Sequence, residues 1–369
     1  MNKHLSLLLI AALLFSAECY SRKYRFFIGT YTNTGKSEGI YLCKTDFSEK
    51  TITPVLVARN VINPSYLALS PDRKQLYAVN QNAETSTVSA FGFTSGTDSL
   101  TLINRVAARG ASPCYIAAAK HHVFTANYAD GSISVLGRNN DGSLSAVQQL
   151  LKHTGRSSHP TRQSSPHVHQ TILTPNGKYL AVCDLGTDKV ILYRYNRQSR
   201  SADILTPCDS VTLKKGSGPR HLAFSRNGEN SYVLQELDGS LTVLSLKRGR
   251  LSVVQESTVV TKPGIETGAA DIHLSPDGRF LYATNRGRAN DITCFGVQKD
   301  GRIIFKSQLP CGGSGPRNFA ITPDGQYLLV ANQYSDNIVV FKRDTKTGAL
   351  SETGMQIRVG APVCITFAR

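Results

Sequence analysis

One pattern returns along this chain at intervals of about fifty residues, and it constrains the fold more tightly than any other feature. A Pro or small residue opens an alternating apolar stretch. A Ser/Thr-Pro-Asp/Asn-Gly turn follows, then a second alternating stretch ending near Asn. The copies read PSYLALSPDRKQLYAVNQ from Pro64, VHQTILTPNGKYLAVCDL from Val168, PRHLAFSRNGENSYVLQE from Pro219, AADIHLSPDGRFLYATNR from Ala269 and PRNFAITPDGQYLLVANQ from Pro316. A copy with a shortened turn begins at Pro113, and a seventh, PVCITFAR, begins at Pro362 and supplies only its first strand.

Alternation of period two on both sides of a tight turn predicts a β-hairpin. Two further strands follow in most units, for example Thr87–Phe93 and Leu100–Ala107. Four short antiparallel strands per fifty residues is the signature of a propeller blade. The missing second strand of the seventh unit lies at the other end of the chain, in Arg25–Tyr31. Gly39–Thr45 and Val55–Arg59 complete that unit. The expectation is an all-β, seven-bladed β-propeller over residues 22–369, one domain whose blade seven is closed by both termini. Hydrophobic residues at 40% and charged residues at 18% exclude a disordered chain or a coiled coil. No helix-period segment follows the first twenty residues.

Those first residues read differently. Lys3 and His4 precede the apolar run Leu5 to Phe15, followed by Ser16 and Ala17, the layout of a secretory signal. The run is too short to span a bilayer as a helix. Residues 1–21 are therefore expected to be a signal peptide, and the protein to be exported to a periplasmic or extracellular space with no transmembrane span. Cys19 raises lipid attachment, but Glu18 before it is a poor fit to such sites. The other seven cysteines show neither CxxC nor zinc-finger spacing. Cys43, Cys183, Cys294 and Cys364 fall in strand-like runs and read as small buried hydrophobes, not as a disulfide framework.

The formal net charge of +16 favours anionic partners. Nucleic acid is not expected, because the basic residues are dispersed with no aromatic-interleaved basic run. A more specific indication comes from register. In a propeller the start of each first strand and the end of each second strand meet on one rim of the central channel. The first set reads Ser65, Cys114, His169, Arg220, Ala270, Arg317 and Val363. The second reads Tyr31, Gln81, Tyr128, Leu185, Glu236, Arg286 and Gln333. His221 and Asp271 lie one step further along their strands. Ser65, Ala270 and Val363 show that folding does not need charge at these positions. Three converging arginines are costly unless they pair with carboxylates or receive an anion.

The segment Arg162-Gln163-Ser164-Ser165-Pro166-His167-Val168-His169 closes the longest inter-blade loop on the same face. His167 and His169 alternate, so they are expected to point to opposite sides, and register favours His169 as the one facing the channel. Imidazole suits proton transfer near neutral pH. A metal site is not expected, for want of further ligands. His121, His122, His153 and His159 read as solvent-facing loop residues. Gly35-Lys36-Ser37-Glu38-Gly39 matches G-x-S-x-G, but a strand and not a helix follows, so it is not a nucleophile elbow. The two Gly-Ser-Gly-Pro-Arg segments read as tight approaches that deliver Arg220 and Arg317.

The IGTYT run near Ile28, the RQ-x-x-PH-x-H segment, the two GPR starts and the S-P-D-G turns together resemble the bacterial seven-bladed lactonase family. That family includes one type of 6-phosphogluconolactonase and a fungal carboxy-cis,cis-muconate cyclase. The resemblance covers essentially the whole chain after the leader. It implies metal-independent, cofactor-free hydrolysis of a small anionic lactone, with His169, Glu236, Arg220 and Arg286 as catalytic residues. Arg220 and Arg286 would hold an anionic group and the oxyanion, His169 would take the proton of water, and Glu236 would orient that water or protonate the leaving alkoxide. Arg317, His167, His221, Asp271, Gln81 and Gln333 are the candidate substrate-binding residues. The partner expected is a small anionic lactone or sugar acid. The resemblance implies a 6-phosphogluconolactonase-like activity at the level of the family, while export opens the way to a different sugar lactone or sugar acid as substrate. A cycloisomerase using the same groups, and a non-catalytic propeller binding a ligand or protein, are the alternatives.

Overall fold

The turn sequence dictates the local geometry. In five copies the backbone N–H of the residue closing the turn donates to the carbonyl of the Ser or Thr that opens it: Arg73 to Ser70, Gly177 to Thr174, Gly228 to Ser225, Gly278 to Ser275 and Gly325 to Thr322. The same hydroxyls donate to the turn's Asp or Asn, as Thr174 does to Asn176 at 2.9 Å and Ser225 to Asn227 at 2.7 Å. Such side-chain bonds are why Ser, Thr, Asp and Asn favour turns. Each turn joins the first two strands of one sheet.

The structure is a computed structural model that describes residues 24–47, 52–82, 85–93 and 98–368. The leader expected over residues 1–21, Cys19 included, lies outside the described residues. Seven four-stranded antiparallel sheets follow one another, with no helix among the described residues. Blade three is representative, with strands Val168–Leu173, Tyr179–Asp184, Lys189–Tyr195 and Leu205–Thr212. Second strands are buried on both faces, whereas fourth strands alternate toward solvent. Apolar clusters lie between neighbouring blades. One of them joins Phe26 and Ile28 of blade seven to Leu329 and Val340 of blade six.

Both ends of the chain build blade seven as expected. Its strand order runs Pro362–Phe367, Tyr24–Thr30, Gly39–Thr45, Val55–Arg59. Phe26 pairs with Phe367 and Ile28 with Ile365. Cys43, Cys183, Cys294 and Cys364 are buried, and all seven described cysteines are free.

Two histidines depart from the sequence reading. His122 opens a strand and is buried, with Nδ1 2.8 Å from the Tyr195 hydroxyl. His153 lies between Asp184, at 2.8 Å, and the Tyr193 hydroxyl, at 2.9 Å. A polar side chain beside a turn is buried readily when a neighbouring blade supplies a partner, and a linear reading cannot see that partner.

Candidate functional site

The first strand of six blades carries a register break at its outset. The residues skipped are Cys114, His169, Arg220, Arg317 and Val363, with Ala270 and Asp271 skipped together in blade five. A bulge leaves a residue out of the ladder and re-aims its side chain. Here the bulged residues are those that the register reading assigned to the rim. A second device fixes the other set. The residue following each second strand donates its backbone N–H to the residue two before the first strand's rim position: Tyr31 to Ala361, Gln81 to Asn63, Tyr128 to Ser112, Leu185 to His167, Glu236 to Gly218, Arg286 to Gly268 and Gln333 to Gly315. One backbone bond, repeated in every blade, thus sets both rim residues side by side. Gly218 and Gly315 have φ of 68° and 72° and lie against Leu237 and Tyr334, so a Cβ there would be strained as well as crowded. They deliver Arg220 and Arg317.

Glu236 is the centre of the charge cluster. Its Oε2 accepts from Arg220 Nε at 2.8 Å and pairs with Arg286 Nη2 at 3.1 Å. Its Oε1 accepts from Arg162 Nη2 at 2.5 Å. Burial alone would raise the Glu236 carboxyl, but Arg286, Arg220 and Arg162 override that and hold it well below the usual carboxylate range. Burial, then Arg286 and Arg317, pull Arg220 down to about 10, so it remains a cation at neutral pH. Arg220 Nη1 donates to the Ala270 carbonyl, and Arg286 Nε to the Gly268 carbonyl at 2.8 Å. Arg317 pairs with no carboxylate among the described residues; its guanidinium carbon lies 5.3 Å from the centre of the Tyr31 ring. Tyr31 in turn donates to Gln81 Oε1 at 3.0 Å.

His169 packs its ring against rings of two neighbouring blades. Its ring centre is 5.2 Å from that of His221 and 5.7 Å from that of Tyr128. Burial first, then Arg220, His221, Arg317 and Arg286, hold its pKa well below the ordinary imidazole value, so the free site contains a neutral ring. Its Nδ1 is buried without a partner, as are Gln333 Oε1 and Ser65 Oγ at other rim positions. Such atoms are costly unless a ligand or water meets them. His167 stacks on Tyr128 at 4.5 Å with its Nδ1 2.8 Å from the Tyr128 carbonyl. The expectation of opposite directions is therefore modified: the bulge at His169 turns both rings against Tyr128, one on its face and one on its edge.

A second ring of side chains lies beneath the rim: Tyr66, Tyr115, Gln170, His221, Asp271 and Asn318. Tyr66 and Tyr115 pack at 4.0 Å, and Tyr115 meets His221 edge-on at 5.3 Å. Beneath this layer, a cavity of about 400 Å³ lined by Tyr66, Tyr115, His273 and Asn318 occupies the other side of the channel. His221 and Asp271, expected to bind substrate, belong to this lower layer. Burial and Arg220 pull His221 down to about 4, so it too is neutral. Burial opposes ionisation of Asp271, yet His273 and His221 hold its carboxyl below the usual range.

His169, Arg220, Glu236 and Arg286 are thus brought together by direct contact or through one shared neighbour. Arg317 joins them from blade six, Gln81 sits beside Tyr31, and His167 packs behind Tyr128. Arg162 is the member that register reasoning missed, because it lies on the inter-blade loop; its place in the RQ-x-x-PH-x-H segment was the available signal. Among the described residues no group of three His, Cys, Asp or Glu side chains is arranged to hold a metal.

Residues 25–367 match the model of a family described as lactonase, 7-bladed beta-propeller. A relative from Formosa agariphila named 6-phosphogluconolactonase is 35% identical over 90% of this chain and 96% of its own. One of the same name from Bacillus subtilis is 32% identical over 94% and 98%. Among solved structures, the Pseudomonas aeruginosa periplasmic gluconolactonase is 35% identical with a TM-score of 0.85, covering 94% of this chain and 99% of its own.

Proposed function

The chain belongs to the seven-bladed β-propeller lactonase family, and from that premise we propose that it hydrolyses an anionic sugar lactone at the mouth of its channel. The observation that carries this reading is the charge balance of the rim. Four guanidiniums, those of Arg162, Arg220, Arg286 and Arg317, surround the single carboxylate of Glu236, beside a neutral His169 whose Nδ1 is unpartnered. Such a site has positive charge left for a substrate anion and a base ready to accept a proton.

In the proposed reaction Arg220, Arg286 and Arg317 hold the anionic group and polarise the lactone carbonyl. Water attacks the carbonyl carbon and loses a proton to His169. A new C–O bond forms, the ring C–O bond breaks, and the leaving alkoxide takes the proton back from the imidazolium. The hydroxy acid then releases its carboxyl proton to solvent. Glu236 aligns the guanidiniums; an acid held so firmly ionised does not serve as proton donor to the alkoxide. A bound anion offsets the guanidiniums that depress His169, so the imidazole becomes a stronger base when substrate is present.

The names of the relatives support sugar lactones, with and without phosphate. The leader-like segment of residues 1–21 supports action outside the cytoplasm, where lactones without phosphate would be met. The test is acid release above the spontaneous rate from a panel of aldonolactones, with and without a phosphate or carboxylate. Turnover of at least one is expected, with a loss of about a hundredfold or more in Arg220→Ala. No acid release from any member of the panel sinks the reading. Fractionation of the cells that make the protein checks export, and a cytoplasmic pool with an intact leader would refute it.

A further inference from the structure

The layer beneath the rim has its own repeated function. In blade three Gln170 Oε1 accepts the N–H of Leu222, three residues into the first strand of blade four, at 2.7 Å. In blade six Asn318 Oδ1 accepts the equivalent N–H of Ile365 in blade seven, also at 2.7 Å. Asp271 Oδ2 does the same in blade five for Phe319, at 3.3 Å. Neutral amides perform this blade-to-blade link at the two other positions, so the charge of Asp271 is not explained by it.

The remaining contacts of Asp271 show what the charge does. Oδ2 also accepts from Asn318 Nδ2 at 2.6 Å and lies 2.9 Å from His273 Nε2. Oδ1 lies 2.7 Å from His221 Nδ1 and accepts from the N–H of Ile272 at 3.0 Å. An ionised carboxylate only accepts, so the single proton of the neutral His221 ring resides on Nδ1. The lone pair is then on Nε2, which faces Arg220 Nη1 at 3.4 Å. With Nε on Glu236 and Nη1 turned to His221 and the Ala270 carbonyl, the guanidinium plane is fixed, and Nη2 has no protein partner among the described residues.

We propose that Asp271 is a positioning residue for Arg220, acting through His221: it holds His221 in the Nδ1–H tautomer, whose Nε2 fixes the guanidinium so that Nη2 faces the substrate anion. The functional half of this rests on the lactonase reading above. Asp271→Asn tests it. Three donors converge on Oδ2 and two on Oδ1, so the amide carbonyl takes the Oδ2 place and keeps the link to Phe319. The amide nitrogen then faces His221 Nδ1, which must become the acceptor, and the Ile272 N–H, which loses its acceptor. His221 shifts its proton to Nε2 and confronts an arginine N–H. A wrong tautomer behind intact geometry is known to cost catalysis heavily.

Nitrogen-15 histidine spectra, with His221 assigned by its loss in His221→Phe, should show the Nδ1–H form in the wild-type protein and the Nε2–H form in Asp271→Asn. A wild-type His221 protonated on Nε2 overturns the proposal. In Asp271→Asn, kcat should fall about a hundredfold and affinity for inorganic phosphate about tenfold, both measured well below the variant's Tm, which the lost Ile272 bond and carboxylate charge lower. Retention of both within threefold also overturns it. His221→Asn, which keeps a donor for Asp271 but has no group near Arg220, should lose activity to a similar extent; full activity there refutes the mechanism even if Asp271→Asn fails to fold. The spectra and the phosphate titration do not require turnover. A wild-type protein with the expected tautomer and phosphate binding but no lactone hydrolysis would sink the lactonase reading and leave the positioning argument standing.

Discussion

Glu236 shows how a single side chain can be both structural and functional. It is a buried acid with three guanidiniums on two oxygens. Because its folded-state pKa is depressed below the ordinary glutamate value of 4.5, it contributes stability that is fully present above about pH 5 and is lost as pH falls toward its folded pKa. Glu236→Gln leaves the arginines facing one another without compensation, and breaking a buried pair in this way costs about 3–5 kcal/mol. The variant should melt several degrees below the wild type at pH 7, the gap should narrow as pH is lowered below 4.5, and a gap independent of pH would contradict the charge argument. His169 gives a kinetic counterpart. Its pKa is low in the free site because of burial and the nearby arginines. The acid limb of kcat/KM, which reports the free enzyme, should therefore lie below the ordinary imidazole value of 6.5. The limb of kcat, which reports the complex, should lie higher because a bound anion offsets the arginines. Coincident limbs would mean that the substrate brings no charge to His169.

At the scale of elements, the strands and their turns could be read directly from alternation and S-P-D-G, since both depend on neighbours in sequence. The rim could be read too, because one backbone bond repeats in all blades and keeps the register constant. The bulge that re-aims Arg220 and Arg317 leaves no mark in composition. Nor does the path of the loop from residue 153 to 167, which has no periodicity and is held by long-range contacts. Asp188 is the anchor. Its carboxylate accepts from Ser157 and from Gln163 Nε2 at 2.7 Å on that loop, and from the Gly216 and Gly218 N–H groups, each at 2.7 Å, on the approach to Arg220. One buried acid therefore positions both Arg162 and Arg220. Asp188 has a φ of 56°, which Asn tolerates and most residues do not. Asp188→Asn should lower kcat/KM by about ten- to a hundredfold through misplacement of the two arginines. Hydrogen exchange should rise in the loop and around Gly216, while the outer strands keep wild-type protection. Unchanged exchange in the loop would show that other contacts hold it.

For the whole molecule, the critical seam is the one where the chain meets itself. Pro362–Phe367 is the innermost strand of blade seven, and its pairing with Tyr24–Thr30 removes two open sheet edges at once. It buries Val363, Cys364 and Ile365, and the Ile365 N–H takes Asn318 Oδ1 from the layer beneath the rim. Losing these apolar contacts costs about 5 kcal/mol, a large part of a typical domain's total stability of about 5–15 kcal/mol. The seam also bears on the site, since Arg317 of blade six rests on the Tyr31 ring of blade seven. Deleting residues 362–369 should therefore yield a chain that aggregates or melts far below the wild type and binds no anion at the rim. The requirement is for the strand, not for chain ends at that point. The Ala368 N–H donates to the Arg25 carbonyl at 2.7 Å, so a short Gly-Ser linker can join the two ends. A permutant linked there and opened between Arg200 and Ser201, both exposed, keeps every strand pair. It should elute as the wild type does on size exclusion and melt within a few degrees of it. If the permutant collapses as the deletion does, the ring depends on where its ends lie, and closure by strand pairing is not what holds it.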